Sequence, residues 1–419
     1  MSNPSSSIEP KNKRIIVCCD GTWQNSDGGN TKAPTNVTRI TRALKSYTDK
    51  GISQVVYYQS GVGTGGPVDR LVGGGVGYGL SEHVREAYGF LAHNYHPGDE
   101  IHLIGFSRGA YTARSICGLI SRIGILTKRG MDGFHEVYDE YKAKNDNPDE
   151  NSWVPELQAK QGGSLVDRNA KIKTISCWDT VGSLGIPTLN VPIVKDYVSG
   201  INHARYDFHD TNLSLKVENA FHALALDEER IFFEPTLWKK TEEWKEMEKN
   251  KGAKLKQCWF PGVHSDIGGG WDDQEIADMT LAWMMQQLLP FLEFDDSYLD
   301  NIIRNSDVSK NQWANGEIHY ETGVKKWTLN WNTRTPGMQD DTNEKIHKSV
   351  RIRMDTHDSK WSSKALGGWE CNRKDGIWTK GAKTIAEDEL GPLEKKLAGK
   401  AVVRDILKED MPQFSKKSQ

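Results

Sequence analysis

The residues best placed to do chemistry are Gly105-Phe106-Ser107-Arg108-Gly109, a G-x-S-x-G pentapeptide with the apolar run 101–106 before it and small residues at helical spacing after it. In a sharp strand-to-helix turn this arrangement lifts the serine hydroxyl off the sheet. The flanking glycines admit close backbone, and the helix N-terminus directs partial positive charge toward a developing oxyanion. Ser107 is therefore a candidate nucleophile; the plainer alternative is an N-cap on a buried helix.

A serine nucleophile needs a base and an orienting acid, expected in the chain order Ser, acid, His, each following a later strand. The strand ending in "CWDTVGSLG" offers Asp179, and the one ending in "FPGVHSDIGGGW" offers His264 in a glycine-bounded loop. Asp227 is the second-choice acid. Asp266, two residues from His264, is expected to brace the loop through backbone amides or to meet substrate, and His222 and His347 are expected to be structural. The oxyanion donors are the N–H of Arg108 and one from Gly21 or Thr22 in "CCDGTWQNS", a segment that also suits a plain Asx turn. The Arg108 side chain is expected either to meet an anionic head group or to pair with a carboxylate such as Asp20.

The elements that must hold these residues alternate regularly. Strands are expected at 14–20, 54–60, 101–106, 171–179 and 255–263. Amphipathic helices are expected at 35–47, capped by Thr35 or Asn36, at 81–95, and after Ser107 as far as Gly124. Apolar strands separated by such helices predict an α/β fold with a mostly parallel sheet wrapped by helices. The core is expected over 13–290, with insertions near 139–170 and 180–254. A Trp-rich cap over 291–408 decorates it, and disordered tails span 1–12 and 409–419. Trp313, Trp327, Trp331, Trp361, Trp369 and Trp378 are candidates to wall an acyl pocket or to act as ordinary packing, and the glycine-rich stretch 61–79 is a candidate lid.

Other signals are weaker. Gly61-x-Gly63-x-x-Gly66 has the form of a dinucleotide fingerprint, but Pro67 and further glycines delay the helix that would receive a pyrophosphate. "CCDGTW" matches an aspartyl-phosphate motif except that Cys18 stands where the nucleophilic carboxylate is needed. A metal-dependent phosphoesterase using His264, Asp266 and Asp20 is the runner-up chemistry. A catalytically silent binding protein is the third.

Composition narrows the field further. Lys and Arg number 54 against 57 Asp and Glu, for a net charge of −3, which gives no footing for nucleic acid. The six cysteines show no zinc spacing and read as reduced core thiols. No secretory signal or transmembrane run is seen, so the chain is expected to be cytoplasmic, with no metal or organic cofactor.

In order along the chain stand "CCDGTWQN", "SGVGT", "GFSRGAYTAR", "WDTVGSLG", "HALALDEER", "WFPGVHSDIGGG" and "RTPG…EKIHKSV". On these the sequence, from about residue 13 to about 355, resembles the uncharacterised α/β-hydrolase domain family that includes the catalytic domain of type VI secretion phospholipase effectors. The resemblance implies an α/β-hydrolase fold, a triad on Ser107, Asp179 and His264, and ester hydrolysis. A lipid or phospholipid acyl ester is the expected substrate.

Overall fold

The computed structural model describes residues 12–21, 33–61, 76–143, 165–181, 211–305, 314–320, 332–356 and 361–398. The expected strands form as β1 (Arg14–Cys19), β2 (Gln54–Gln59) and β3 (Glu100–Phe106). After a separate antiparallel pair, β4 (Ile125–Leu126) and β5 (Val166–Asp167), come β6 (Ile172–Trp178), β7 (Asn219–Ala225) and β8 (Lys254–Phe260). Later segments contribute β9 (Glu344–His347), β10 (Glu370–Asn372), β11 (Ile377–Lys380) and β12 (Lys383–Asp388).

Ten of these strands form one sheet in the order β10-β11-β12-β9-β8-β7-β6-β3-β1-β2. From β2 to β12 every neighbouring pair is parallel; β11 alone runs against the rest, pairing antiparallel with both β12 and β10. The chain starts at β1, steps out to β2, then crosses back to β3. The C-terminal ends of β1 and β3 thus flank a topological switch point, where open α/β sheets bind ligands.

Both faces of the sheet are covered, as parallel strands require. Ile15, Val17, Ile101 and Leu103 pack with residues of the helices Val76–Asn94 and Arg108–Ile123. Ile16, Cys18, Ile104 and Phe106 pack with the helices Asn36–Ala43 and Glu275–Leu288. Thr35 caps the Asn36–Ala43 helix by accepting the Thr38 N–H, and Gly124 ends the helix that follows Ser107. The six cysteines are free thiols, five of them buried.

Two organisational expectations change. Residues 180–254, expected as an insertion, contain the central strand β7, and all seven of its residues are buried. Its "NAFHALA" sequence lacks the β-branched residues that mark β6. Within the region 291–408, expected as a cap, the described strands β9 to β12 continue the core's sheet. Trp361, Trp369 and Trp378 pack there with Leu224, Trp259 and Ile346 as ordinary core. Trp313, Trp327, Trp331 and most of the 61–79 lid segment lie outside the described residues. No helix among the described residues is long and apolar enough to cross a membrane.

Candidate active site

Ser107 occupies the turn between β3 and the helix Arg108–Ile123 with φ +58° and ψ −124°. A non-glycine residue held there costs on the order of 1–3 kcal/mol and persists only where its surroundings enforce it. The Ser107 N–H donates to the Trp178 carbonyl at 3.1 Å. A Cβ on Gly109 would stand 2.1 Å from the Cys19 carbonyl oxygen, so only glycine lets the helix start this close to the end of β1.

Asp179 follows β6, also at positive φ, 38°, and is fully buried. His264 opens the short helix His264–Gly268 after β8 and is 4 % exposed. Its Nδ1 lies 2.6 Å from Asp179 Oδ2 and its Nε2 lies 2.8 Å from Ser107 Oγ. An ionised carboxylate only accepts, so Nδ1 carries the proton and Nε2 is left to accept from the serine hydroxyl. Phe106 and Phe233 hold the imidazole between them, each with a ring centroid 4.8 Å away.

Arg334 closes the array from the "RTPG" segment, to which no chemical role is assigned above. Its Nη1 donates to Asp179 Oδ1 and its Nη2 to Oδ2, both at 3.1 Å. Nη2 also donates to the Phe233 carbonyl at 2.5 Å. Burial pushes the Asp179 carboxyl up, but the Arg334 charge and the hydrogen bonds from His264 and Arg334 outweigh it. The group is held well below the usual carboxylate range.

The remaining candidates serve the loops. Asp227 accepts the Gly262 N–H at 2.7 Å and so anchors the histidine loop instead of touching the imidazole. Glu228, unremarked in the sequence, accepts the His264 N–H at 3.2 Å and grips Arg230, whose guanidinium lies 3.7 Å from the Phe233 ring centroid. Asp266 braces the same loop, taking the Val263 N–H at 2.9 Å and His319 Nδ1 at 2.7 Å. His222 accepts the Thr180 N–H and lies beside Gln257; burial lowers it to about 3. His347 is enclosed by Ser349 and Glu394.

At the oxyanion side, a Cβ on Gly21 would come within 3.4 Å of Ser107 Cβ, so the end of β1 borders the nucleophile. The Gly21 N–H, however, donates to Oδ1 of the preceding residue, Asp20, at 2.7 Å, one residue short of an Asx turn, and is not free for an oxyanion. Thr22 lies outside the described residues. Arg108 begins its helix, so its N–H has no intrahelical acceptor.

The Asp20 carboxylate is engaged by Thr35, Thr38, Tyr58 and Gly21. No pair between it and Arg108 forms, and no carboxylate among the described residues offsets the burial that lowers Arg108 to about 10. The metal set His264, Asp266 and Asp20 does not converge either. His264 faces Ser107 and Asp179, Asp266 faces His319, and Asp20 is saturated by hydroxyls. The carboxylate and imidazole group close enough to share a cation, among the described residues, is Asp273, Glu317 and His319.

A mostly parallel sheet with a strained serine after β3, linked through a histidine to an aspartate after β6, defines an α/β-hydrolase-type protein. The chain belongs to the family described as T6SS, phospholipase effector Tle1-like, catalytic domain, whose model matches residues 13–287. It is therefore a member of a hydrolase family of phospholipase type. An uncharacterized protein of Saccharomyces cerevisiae is 29% identical over 247 residues, covering 54% of this chain and 33% of its own length. The chain thus spans about a third of that relative. Among solved structures, an uncharacterized protein from Pseudomonas aeruginosa shares 15% identity at a TM-score of 0.34, over 66% of this chain and 46% of that one. A butyrate-bound esterase from Thermogutta terrifontis shares 13% at a TM-score of 0.32, over 67% and 85%.

Proposed function

We propose that this protein is a serine hydrolase of carboxylic esters, acting on lipid acyl esters through an acyl-enzyme. The observation that carries the reading is the unbroken array from Ser107 Oγ through His264 to Asp179, at 2.8 and 2.6 Å. His264 Nε2 takes the hydroxyl proton as Oγ attacks the ester carbonyl, while Asp179 holds the proton on Nδ1 and stabilises the imidazolium. The Arg108 N–H, which has no intrahelical acceptor at the start of its helix, stabilises the tetrahedral oxyanion. The alcohol departs with the proton from Nε2. Water then attacks the acyl-enzyme with His264 again as base, returning free acid and serine.

The lipid part of the reading rests on family membership and on Arg108. A desolvated guanidinium without a carboxylate neighbour among the described residues suits an anionic head group beside the nucleophile. A fluorophosphonate probe followed by intact mass and peptide mapping tests the first part: one adduct on Ser107, absent in Ser107→Ala, is expected. An unlabelled, folded protein overturns it. A panel of glycerolipids differing in head-group charge tests the second, with Arg108→Gln expected to lose any preference for anionic substrates.

A further inference from the structure

A triad has three residues, yet here a fourth side chain, that of Arg334, joins the Asp179 carboxylate. Arg334 engages both of its oxygens, each at 3.1 Å, and its Nη2 reaches the Phe233 carbonyl. Phe233 stands edge-on to the His264 ring. One guanidinium therefore ties the acid to the turn that packs against the base. The side chain is nearly inaccessible, at 3 % exposure against 0 % for Asp179. A buried bidentate pair of this kind fixes the plane of the carboxylate as well as its charge.

We infer that Arg334 is a positioning residue that sets both the orientation of Asp179 toward His264 and the pH range over which the pair stays competent as a base. The inference rests on the triad reading above. Orientation follows from geometry: Oδ2 is shared between Arg334 Nη2 and His264 Nδ1, and Oδ1 between Arg334 Nη1 and the Ala225 N–H at 3.1 Å, so a carboxylate released from Arg334 keeps one bond on each oxygen and holds its plane less firmly. The pH effect follows from charge. A cation fixed against the Asp179–His264 pair disfavours uptake of a further proton by the pair, whichever atom would hold it.

The other charged and titratable groups around the pair come from three elements. Glu228, paired with Arg230, approaches from the loop after β7. His222 lies on β7, with its Nε2 occupied by the Thr180 N–H. Arg114, on the helix Arg108–Ile123, stacks on Trp238 and donates to the Thr236 carbonyl. None of these makes a hydrogen bond to an oxygen of Asp179; Arg334 makes two.

The test uses the full chain with three substitutions, each normalised to the fraction of sites titrated by a fluorophosphonate probe. Arg334→Met is expected to lower kcat by about 10²-fold with KM little changed, and to move the acid limb of the kcat/KM profile to higher pH by about one unit or more. Arg334→Lys keeps the charge but not the fork, and is expected to keep the limb in place while losing part of kcat. Combined with Asp179→Asn, Arg334→Met is expected to cost less than about threefold further, because the two act through one interaction.

Should Arg334→Met fold poorly, Arg334→Ala offers a second route. Arg334 borders a small polar cavity of about 30 Å³ together with Arg230, Glu234 and Asn332. Added guanidinium is expected to restore turnover there, where urea and sodium chloride at equal concentration do not. An Arg334→Met enzyme with unaltered per-site kcat and pH limb overturns the inference while leaving the triad standing. So does a loss of kcat that is fully additive with Asp179→Asn. If the unaltered protein takes no label at Ser107, the triad falls and this inference with it.

Discussion

Phe106 and Trp178 are partners in register on the neighbouring parallel strands β3 and β6. The residues that follow them, Ser107 and Asp179, leave the sheet side by side at its C-terminal edge, both at positive φ. His264 enters from β8, two strands beyond β6, and spans the gap between them. The array is thus a product of sheet register, which makes its members separable by substitution.

Ser107→Ala and His264→Ala are each expected to lower turnover by roughly 10³-fold or more while leaving thermal unfolding nearly unchanged. His222→Gln should retain most activity, since its ring only accepts the Thr180 N–H and faces Gln257. Steady-state kinetics on a chromogenic ester decide this. Full activity in His264→Ala with loss in His222→Gln would move the base to β7.

The two aspartates weighed as the acid should separate cleanly. Asp179→Asn presents an amide to His264 Nδ1 and invites the wrong tautomer, for a loss of about 10³- to 10⁴-fold in kcat. Asp227→Asn can still accept the Gly262 N–H and should cost less than about tenfold. Comparable losses in the two variants would contradict the assignment of Asp179.

Asp227 also predicts a pH dependence of stability. Burial raises its carboxyl to about 6 in the folded protein, above its ordinary value of 3.8. The folded state therefore binds the proton more tightly than the unfolded chain. The resulting stabilisation is complete below about 4 and is lost as pH rises through about 6. Asp227→Asn, neutral at every pH, should flatten the rise and fall of the melting temperature across this window and raise it by a few degrees at pH 8. An identical pH–Tm curve in the variant would show that Asp227 does not titrate there.

Gly268 links packing to turnover. A Cβ at this position would meet the Phe106 ring at 2.0 Å, and Phe106 supports the imidazole. Gly268→Ala should cost about 1–3 kcal/mol by overpacking and lower kcat more than it alters KM. Gly252→Ala is the control: its Cβ meets nothing within 4 Å, though φ is +70°. It should lose about 1–2 kcal/mol of stability without loss of per-site turnover.

Much of this was legible in the sequence because the signals are local. The strands 14–19, 54–59, 100–106 and 172–178 are largely apolar runs, 254–260 ends in one, and the G-x-S-x-G glycines have a single steric reason to be there. What escaped the sequence was non-local. Strand β7 carries Asn, His and three alanines, an inventory that suits a helix as well as a buried strand. Arg334 stands 155 positions from Asp179 in a polar stretch, and nothing in its neighbours marks it as the counter-ion of a carboxylate after β6. Gly21 illustrates the reverse: its position beside Ser107 was foreseeable, but the capture of its N–H by Asp20 depends on a side-chain rotamer.

The continuation of the sheet beyond β8 bears on where this chain can be divided. The family match stops at residue 287, yet β9, which pairs with Gln257, Cys258 and Trp259 of β8, lies past that boundary. So do Asp388, which holds Lys256 and the Trp283 indole, and Arg334, which neutralises Asp179. A chain ended at the homology boundary would present the β8 edge as an open template for another strand and bury Asp179 without its counter-ion. The stretch the family model matches and the stretch the sheet needs therefore end at different residues. Cutting the chain at residue 287 would remove part of its own sheet and the counter-ion of its acid.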